Sequence, residues 1–200
     1  MTESPRETIE RSLKDAEEVL ALLRGDPALL DAIQHFADTV TKAFLSGGKV
    51  LACGNGGSMS DAMHFAEEFS GRYRKDRKPL PALALSDPAH ITCTANDYGF
   101  EYVFSRQVEA LGKGNDVLLA ISTSGNSPNV INAVAEAKKR GMISVGLLGK
   151  GGGQLAELVD LPLVVPGETA DRIQELHIKV LHIVIEIVER NLVPENYEDS

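Results

Sequence analysis

The stretch Lys49-Val50-Leu51-Ala52-Cys53-Gly54-Asn55-Gly56-Gly57-Ser58 decides the fold of this chain. Residues 50–53 are apolar without interruption, as a strand buried on both faces requires. The glycines that follow permit a tight turn, and a helical stretch, 58–71, opens from it. Outward from this unit the same grammar repeats. Apolar runs at 82–85, 117–122, 143–147 and 161–165 alternate with helical stretches at 89–111, 128–140, 153–159 and 170–192. The stretch 89–111 is expected to break near Asn96–Gly99. Five such strands separated by helices predict a three-layer α/β/α domain around a five-stranded parallel, flavodoxin-like sheet with right-handed crossovers. Residues 1–46 read as two helices, the first carrying Ile9, Leu13, Val19, Leu20, Leu22 and Leu23, the second opened by Asp26-Pro27 and closed by Gly47-Gly48. The expected organisation is one domain over 1–200, with helices 1–46 packing on an α/β core of 47–200.

Composition narrows the function. The chain has 200 residues, 43% of them hydrophobic, with 20 Lys and Arg against 29 Asp and Glu, a net charge of −9. That balance argues against nucleic-acid binding through a broad basic surface. No apolar run reaches the roughly 18 residues of a membrane helix, and the opening MTESPRETIERS has no apolar signal core. Two cysteines, Cys53 and Cys93, are too few for a disulfide scaffold. A reduced, cytoplasmic domain is the expectation. The cluster Arg72, Arg74, Lys75, Arg77 and Lys78 reads as a solvated loop, with anion binding by Arg72 as the sharper alternative.

Two loops have the chemistry of anion sites. Gly54-Asn55-Gly56-Gly57-Ser58 lets backbone approach a ligand at a helix N-terminus, yet lacks both the dinucleotide and the P-loop fingerprints. Ser122-Thr123-Ser124-Gly125-Asn126-Ser127-Pro128 sets four hydroxyls and a glycine before a second helix, which suits a phosphate monoester, although single hydroxyls there also serve as ordinary caps. In the strand order 2-1-3-4-5, strands 1 and 3 are neighbours, and both loops stand at the topological switch point where such sheets bind ligands.

His64 and Glu68 lie four apart on one helix face and can share a zinc ion; the same spacing also suits a surface pair or a hydrogen-bonded histidine. On the last helix Gln174 and His182, two turns apart, can converge on one site. His177 is rotated about 140° from His182 and belongs elsewhere.

Cys53-Gly-Asn-Gly-Gly-Ser58, Asp61-Ala-Met-His-Phe-Ala-Glu-Glu68, Gly71-Arg-Tyr-Arg74, Ala95-Asn-Asp-Tyr-Gly-Phe100, Ser122-Thr-Ser-Gly-Asn-Ser127 and Ala170-Asp-Arg-Ile-Gln-Glu-Leu-His-Ile-Lys179 together resemble the sugar isomerase (SIS) superfamily and, within it, the phosphoheptose isomerase family. Met59 stands where some members carry a polar residue. The resemblance implies isomerisation of D-sedoheptulose 7-phosphate to D-glycero-D-manno-heptose 7-phosphate through an enediol, toward ADP- or GDP-heptose for lipopolysaccharide core and surface glycans. It also implies a homotetramer with active sites between subunits and one zinc per subunit. The implied metal ligands are His64, Glu68, Gln174 and His182, with Glu68 and His182 the acid–base pair. Substrate contacts are implied for Asn55, Gly56, Gly57, Glu68, Asn96, Asp97, Ser122, Thr123, Ser124, Ser127 and Gln174. A second branch of the superfamily, a non-catalytic tetramer that binds the replication initiator protein, is the alternative; it lacks the acid and imidazole that this chain has at Glu68 and His182.

Overall fold

A computed structural model describes residues 3–198. Two helices, α1 (Pro5–Arg24) and α2 (Pro27–Leu45), precede β1 (Val50–Gly54), α3 (Gly57–Ser70), β2 (Ala82–Ala84), α4 (Pro88–Asp97), α5 (Ser105–Leu111), β3 (Val117–Ser122), α6 (Pro128–Lys139), β4 (Ile143–Leu148), α7 (Leu155–Leu158), β5 (Leu161–Val164) and α8 (Ala170–Leu192). The sheet is parallel throughout, in the order β2-β1-β3-β4-β5. This is the expected α/β/α flavodoxin-like architecture.

Alternation along each strand divides the core between the two faces of the sheet. Val50, Ala52, Val117, Leu119 and Ile121 pack with α2, α3 and α8 through Phe36, Val40, Phe65, Phe69, Val180 and Val184. Leu51, Cys53, Leu118 and Ala120 pack on the other side with Phe104 and Val108 and with Val130 and Val134 of α6. Helix α3 therefore leaves β1 toward one face, and α6 leaves the adjacent β3 toward the other. The crevice between them is the switch point, with Gly54 paired to Ile121 at its floor.

Local signals account for most boundaries. Asp26 caps α2 by accepting from the Leu29 amide, with Pro27 in the first turn. The stretch read as one helix over 89–111 breaks where expected: α4 stops at Asp97, Gly99 turns with φ 108°, and a 3-10 turn leads to α5. The helix read at 153–159 contracts to the single turn of α7. In α1 the apolar residues pack incompletely within the chain. Leu23 is buried, whereas Ile9 and Leu13 are 56% and 67% exposed. Arg172 of α8 holds α1 by donating to the carbonyl and hydroxyl of Ser12, at 2.9 and 3.3 Å.

The hydroxyl-rich loop after β3 is braced from below. Gly125 sits at φ +65°, its carbonyl accepts from the Leu155 amide at 3.0 Å, and a Cβ added to it would lie 1.8 Å from the Gly152 carbonyl oxygen. Asn126 Oδ1 accepts from the Gln154 amide at 3.1 Å.

His177 lies in the core with no exposure; burial pushes its imidazole down to about 4, partly offset by the Leu148 carbonyl.

Two outcomes follow from this packing. Gly125→Ala should destabilise the chain by at least about 2 kcal/mol in urea unfolding, from backbone clash added to left-handed strain. Gly47→Ala, at φ +73° with open space around it, should cost only about 1–2 kcal/mol; equal costs would contradict the bracing. The neutral His177 is favoured in the folded state, and the unfolded chain takes up the proton below about 6.5. Its contribution is therefore present above that pH and is lost as pH falls toward about 4. His177→Leu should reduce the stability loss between pH 7 and 4 by up to about 3 kcal/mol; an unchanged loss would exclude His177 as its source.

Candidate active site

Helix α3 begins immediately beyond Gly56, at φ +56°, and has no side-chain cap. Its buried face carries Phe65 and Phe69 into the core, which turns His64 and Glu68 toward α8. There His64 Nε2 lies 2.8 Å from His182 Nε2, with the rings edge to face at 83°. Glu68 Oε1 is 3.4 Å from the same His64 nitrogen, and Glu67 Oε1 is 3.0 Å from His64 Nδ1. One donor atom from each of His64, Glu68 and His182 falls within 4.8 Å of the others, and all three residues are half-buried.

The electrostatics favour a cation among them. Burial, reinforced by the neighbouring Glu67, pushes the Glu68 carboxyl up from the usual glutamate range. Burial, then His64, Lys179 and Arg74, holds the His182 imidazole below its ordinary value. A neutral imidazole exposes a lone pair, and two imidazoles facing each other across 2.8 Å can turn both lone pairs to one ion. Two nitrogens and a carboxylate oxygen are the donor types a zinc-like ion takes. The residues fit a metal.

Gln174 stands two turns before His182 on α8 with its amide against the start of α3: a Cβ at Gly57 would lie 2.6 Å from Gln174 Nε2. Across the crevice, Asn55 and Asn129 exchange amide hydrogen bonds of 2.9 and 2.8 Å, tying the two glycine-containing loops together. Asn129 was absent from the sequence reading, because nothing local distinguishes it from an ordinary residue in the first turn of a helix. In the second loop Ser122 Oγ lies 3.1 Å from Ser127 Oγ and accepts from the Gly125 amide. Thr123, Ser124 and Ser127 remain half-exposed at the start of α6, where no side chain caps the helix. A cavity of about 480 Å³ opens here, lined by Asn55, Phe100, Glu101, Ser127, Asn129 and Asn132. Asn96 and Asp97 are exposed at the C-terminal end of α4, where the Asn96 amide donates to Asp97 Oδ1 at 2.7 Å.

The basic cluster is a solvated loop at Arg72, Arg74, Lys75 and Lys78, and departs from that reading at Arg77. Arg72 is exposed, but the Arg77 side chain is 1% exposed against Glu189, and Arg74 pairs with Glu186 at 2.9 Å while lying over the Tyr73 ring. Tyr73 in turn stacks on His182, at 6.0 Å between centroids and 29° between planes. The counter-charges sit more than a hundred residues away on α8, beyond the reach of local sequence patterns.

Comparison with known proteins agrees with this geometry. Residues 16–149 match the SIS domain family. The phosphoheptose isomerase of Fusobacterium nucleatum is 60% identical over 167 residues, covering 84% of this chain and 86% of the relative. That of Salmonella paratyphi B is 52% identical over 189 residues, covering 94% and 98%. The solved phosphoheptose isomerase of Neisseria gonorrhoeae superposes with a TM-score of 0.88 at 38% identity, covering 93% of this chain and 99% of its own. For the enzyme from Francisella tularensis the TM-score is 0.90 at 36% identity, covering 94% and 100%. A parallel sheet of this order, a helix pair that gathers two imidazoles and a carboxylate, and relatives of this closeness lead to one conclusion: the chain belongs to the SIS domain family, in its phosphoheptose isomerase branch, and is an isomerase.

Proposed function

We propose that this protein converts D-sedoheptulose 7-phosphate to D-glycero-D-manno-heptose 7-phosphate, working in the cytoplasm as a homotetramer of single-domain subunits and supplying heptose for ADP- or GDP-linked precursors of lipopolysaccharide core and surface glycans. The observation that carries the reading is the His64–Glu68–His182 cluster, set beside a hydroxyl-lined helix N-terminus in a chain so similar to phosphoheptose isomerases.

Ketose-to-aldose conversion moves a proton between C1 and C2 and another between the two oxygens, through an enediol. Glu68 is the base for the carbon-bound proton, taking it at a stage when its carboxylate is not ligating the metal. His182, neutral near physiological pH, gives and takes the proton at oxygen. His64, Glu68, Gln174 and His182 would hold one zinc per subunit, which when bound supplies Lewis-acid polarisation of the substrate carbonyl. Ser122, Thr123, Ser124 and Ser127, with the α6 amides, receive the phosphate. That contact lies remote from the reacting carbons and orients them. Asn55, Gly56, Gly57 and Gln174 line the approach, and Asn96 and Asp97 bind sugar hydroxyls. The uncovered apolar residues of α1 support sites between subunits. A non-catalytic role in binding the replication initiator protein is disfavoured by the acid–base pair itself.

Glu68→Gln should lower kcat at least about a thousandfold while leaving the melting temperature and oligomeric state unchanged, and His182→Asn at least about a hundredfold. Near-normal kcat in either would remove that residue from proton transfer. Ser124→Ala should lower kcat/KM for the phosphorylated ketose by about tenfold, the loss of a charge-assisted hydrogen bond; an unchanged value would exclude the phosphate contact.

A further inference from the structure

Arg77 and Glu189 form a buried ion pair next to the cluster without belonging to it. Both side chains are 1% exposed, and Arg77 Nε donates to Glu189 Oε1 at 2.6 Å. The rest of the guanidinium is spent on the end of α3. Nη2 donates to the Glu68 carbonyl at 2.6 Å, and Nη1 to the carbonyls of Phe69 at 2.7 Å and of Gly71 and Lys78 at 3.2 Å. Helices commonly close with a left-handed glycine that satisfies these carbonyls. Gly71 has φ −94° and provides no such closure, so an arginine from the following segment fulfils the role. Its positive charge also meets the negative end of the α3 dipole.

The far side of the pair is equally tied. Glu189 stands seven residues beyond His182, two turns along the same face of α8. Its second oxygen accepts from the Tyr197 hydroxyl at 2.7 Å, anchoring the 3-10 turn that follows α8. One guanidinium thus grips the backbone of the residue that carries the Glu68 carboxylate and the helix that carries His182.

We infer that the Arg77–Glu189 pair is a positioning device that sets the spacing and rotation of α3 against α8, and thereby holds Glu68 and His64 in register with His182. The inference rests on the proposed function for its kinetic consequence, though not for the geometry. Buried ion pairs contribute little net stability compared with apolar replacements, so a pair retained here is better understood through what it aligns. Lysine can keep the charge toward Glu189 but cannot serve the carboxylate and the carbonyls of Glu68 and Phe69 at once.

The test compares Arg77→Lys with Asp116→Asn. Asp116 is 2% exposed, pairs with Lys49, and accepts from the Lys49 and Lys113 amides at the opposite end of the sheet, so its loss destabilises the chain without touching the cluster. In Arg77→Lys, zinc affinity measured by chelator competition should fall about tenfold. Its kcat should fall by a similar factor with KM within about twofold. Asp116→Asn should lower the melting temperature and leave both quantities unchanged. If Arg77→Lys does not fold, Glu189→Gln serves in its place, with the same signs. An Arg77→Lys protein with wild-type zinc affinity and kcat, whatever its melting temperature, would overturn the inference. Should the wild-type protein neither bind zinc nor isomerise the ketose, the proposed function falls. Positioning is then read from the His64 and His182 imidazole resonances, which should shift in Arg77→Lys and not in Asp116→Asn; unshifted resonances would overturn it.

Discussion

Helix α3 packs across α8 with two jobs assigned to adjacent faces. Phe65 and Phe69 go into the core against Phe36 and Phe44, with ring centroids 5.9 and 5.2 Å apart, and this fixes the helix's rotation about its own axis. Once that rotation is set, residues 64 and 68 have nowhere to point but along the flank facing α8. The setting is costly for charge: burial, with Glu67 beside it, raises the Glu68 carboxyl, and burial, with His64 beside it, lowers the His182 imidazole. Apolar packing on one face holds together a polar constellation on the next, and its unfavourable electrostatics are what a bound cation would relieve.

The sheet supplies the second half of the site by topology. Because α3 and α6 depart to opposite faces from adjacent strands, their N-termini open onto one crevice, where the Asn55–Asn129 amide pair locks the two loops in register. The Leu155 and Gln154 amides brace the second loop from beneath, which suits it to the phosphate-binding role proposed above. In the proposed reaction, binding energy gathered there would be realised at carbons near the α3–α8 flank, so that an anion site and a proton-transfer site act on one substrate.

What the sequence revealed and what it concealed divide along the range of the interactions involved. The strands were legible because a parallel sheet covered on both sides needs continuous apolar runs, and 50–53 and 117–121 have nothing else. His64 with Glu68, and the hydroxyls of 122–127, were legible because each group lies within one helical turn or one loop. The strap from Tyr73 to Arg77 was not. A run of basic residues is the ordinary appearance of a solvated loop, and Glu189, which buries Arg77, is 112 residues away from it, as Glu186 is from Arg74. Asn129 escaped for the same reason, its partner lying 74 positions earlier. The helix at 153–159 was overestimated because Gly153, at φ +52°, belongs with Gly151 and Gly152 to a tight glycine turn rather than to a regular helix.

The central claim, that the α3–α8 cluster drives a metal-assisted isomerisation of a seven-carbon ketose phosphate, is tested most directly by turnover of sedoheptulose 7-phosphate with the purified protein. The assay detects product through a coupled heptose kinase, before chelation, after it, and after zinc is restored. The account predicts turnover that disappears with the chelator and returns with zinc. A folded, zinc-loaded protein that leaves the ketose unchanged would contradict it.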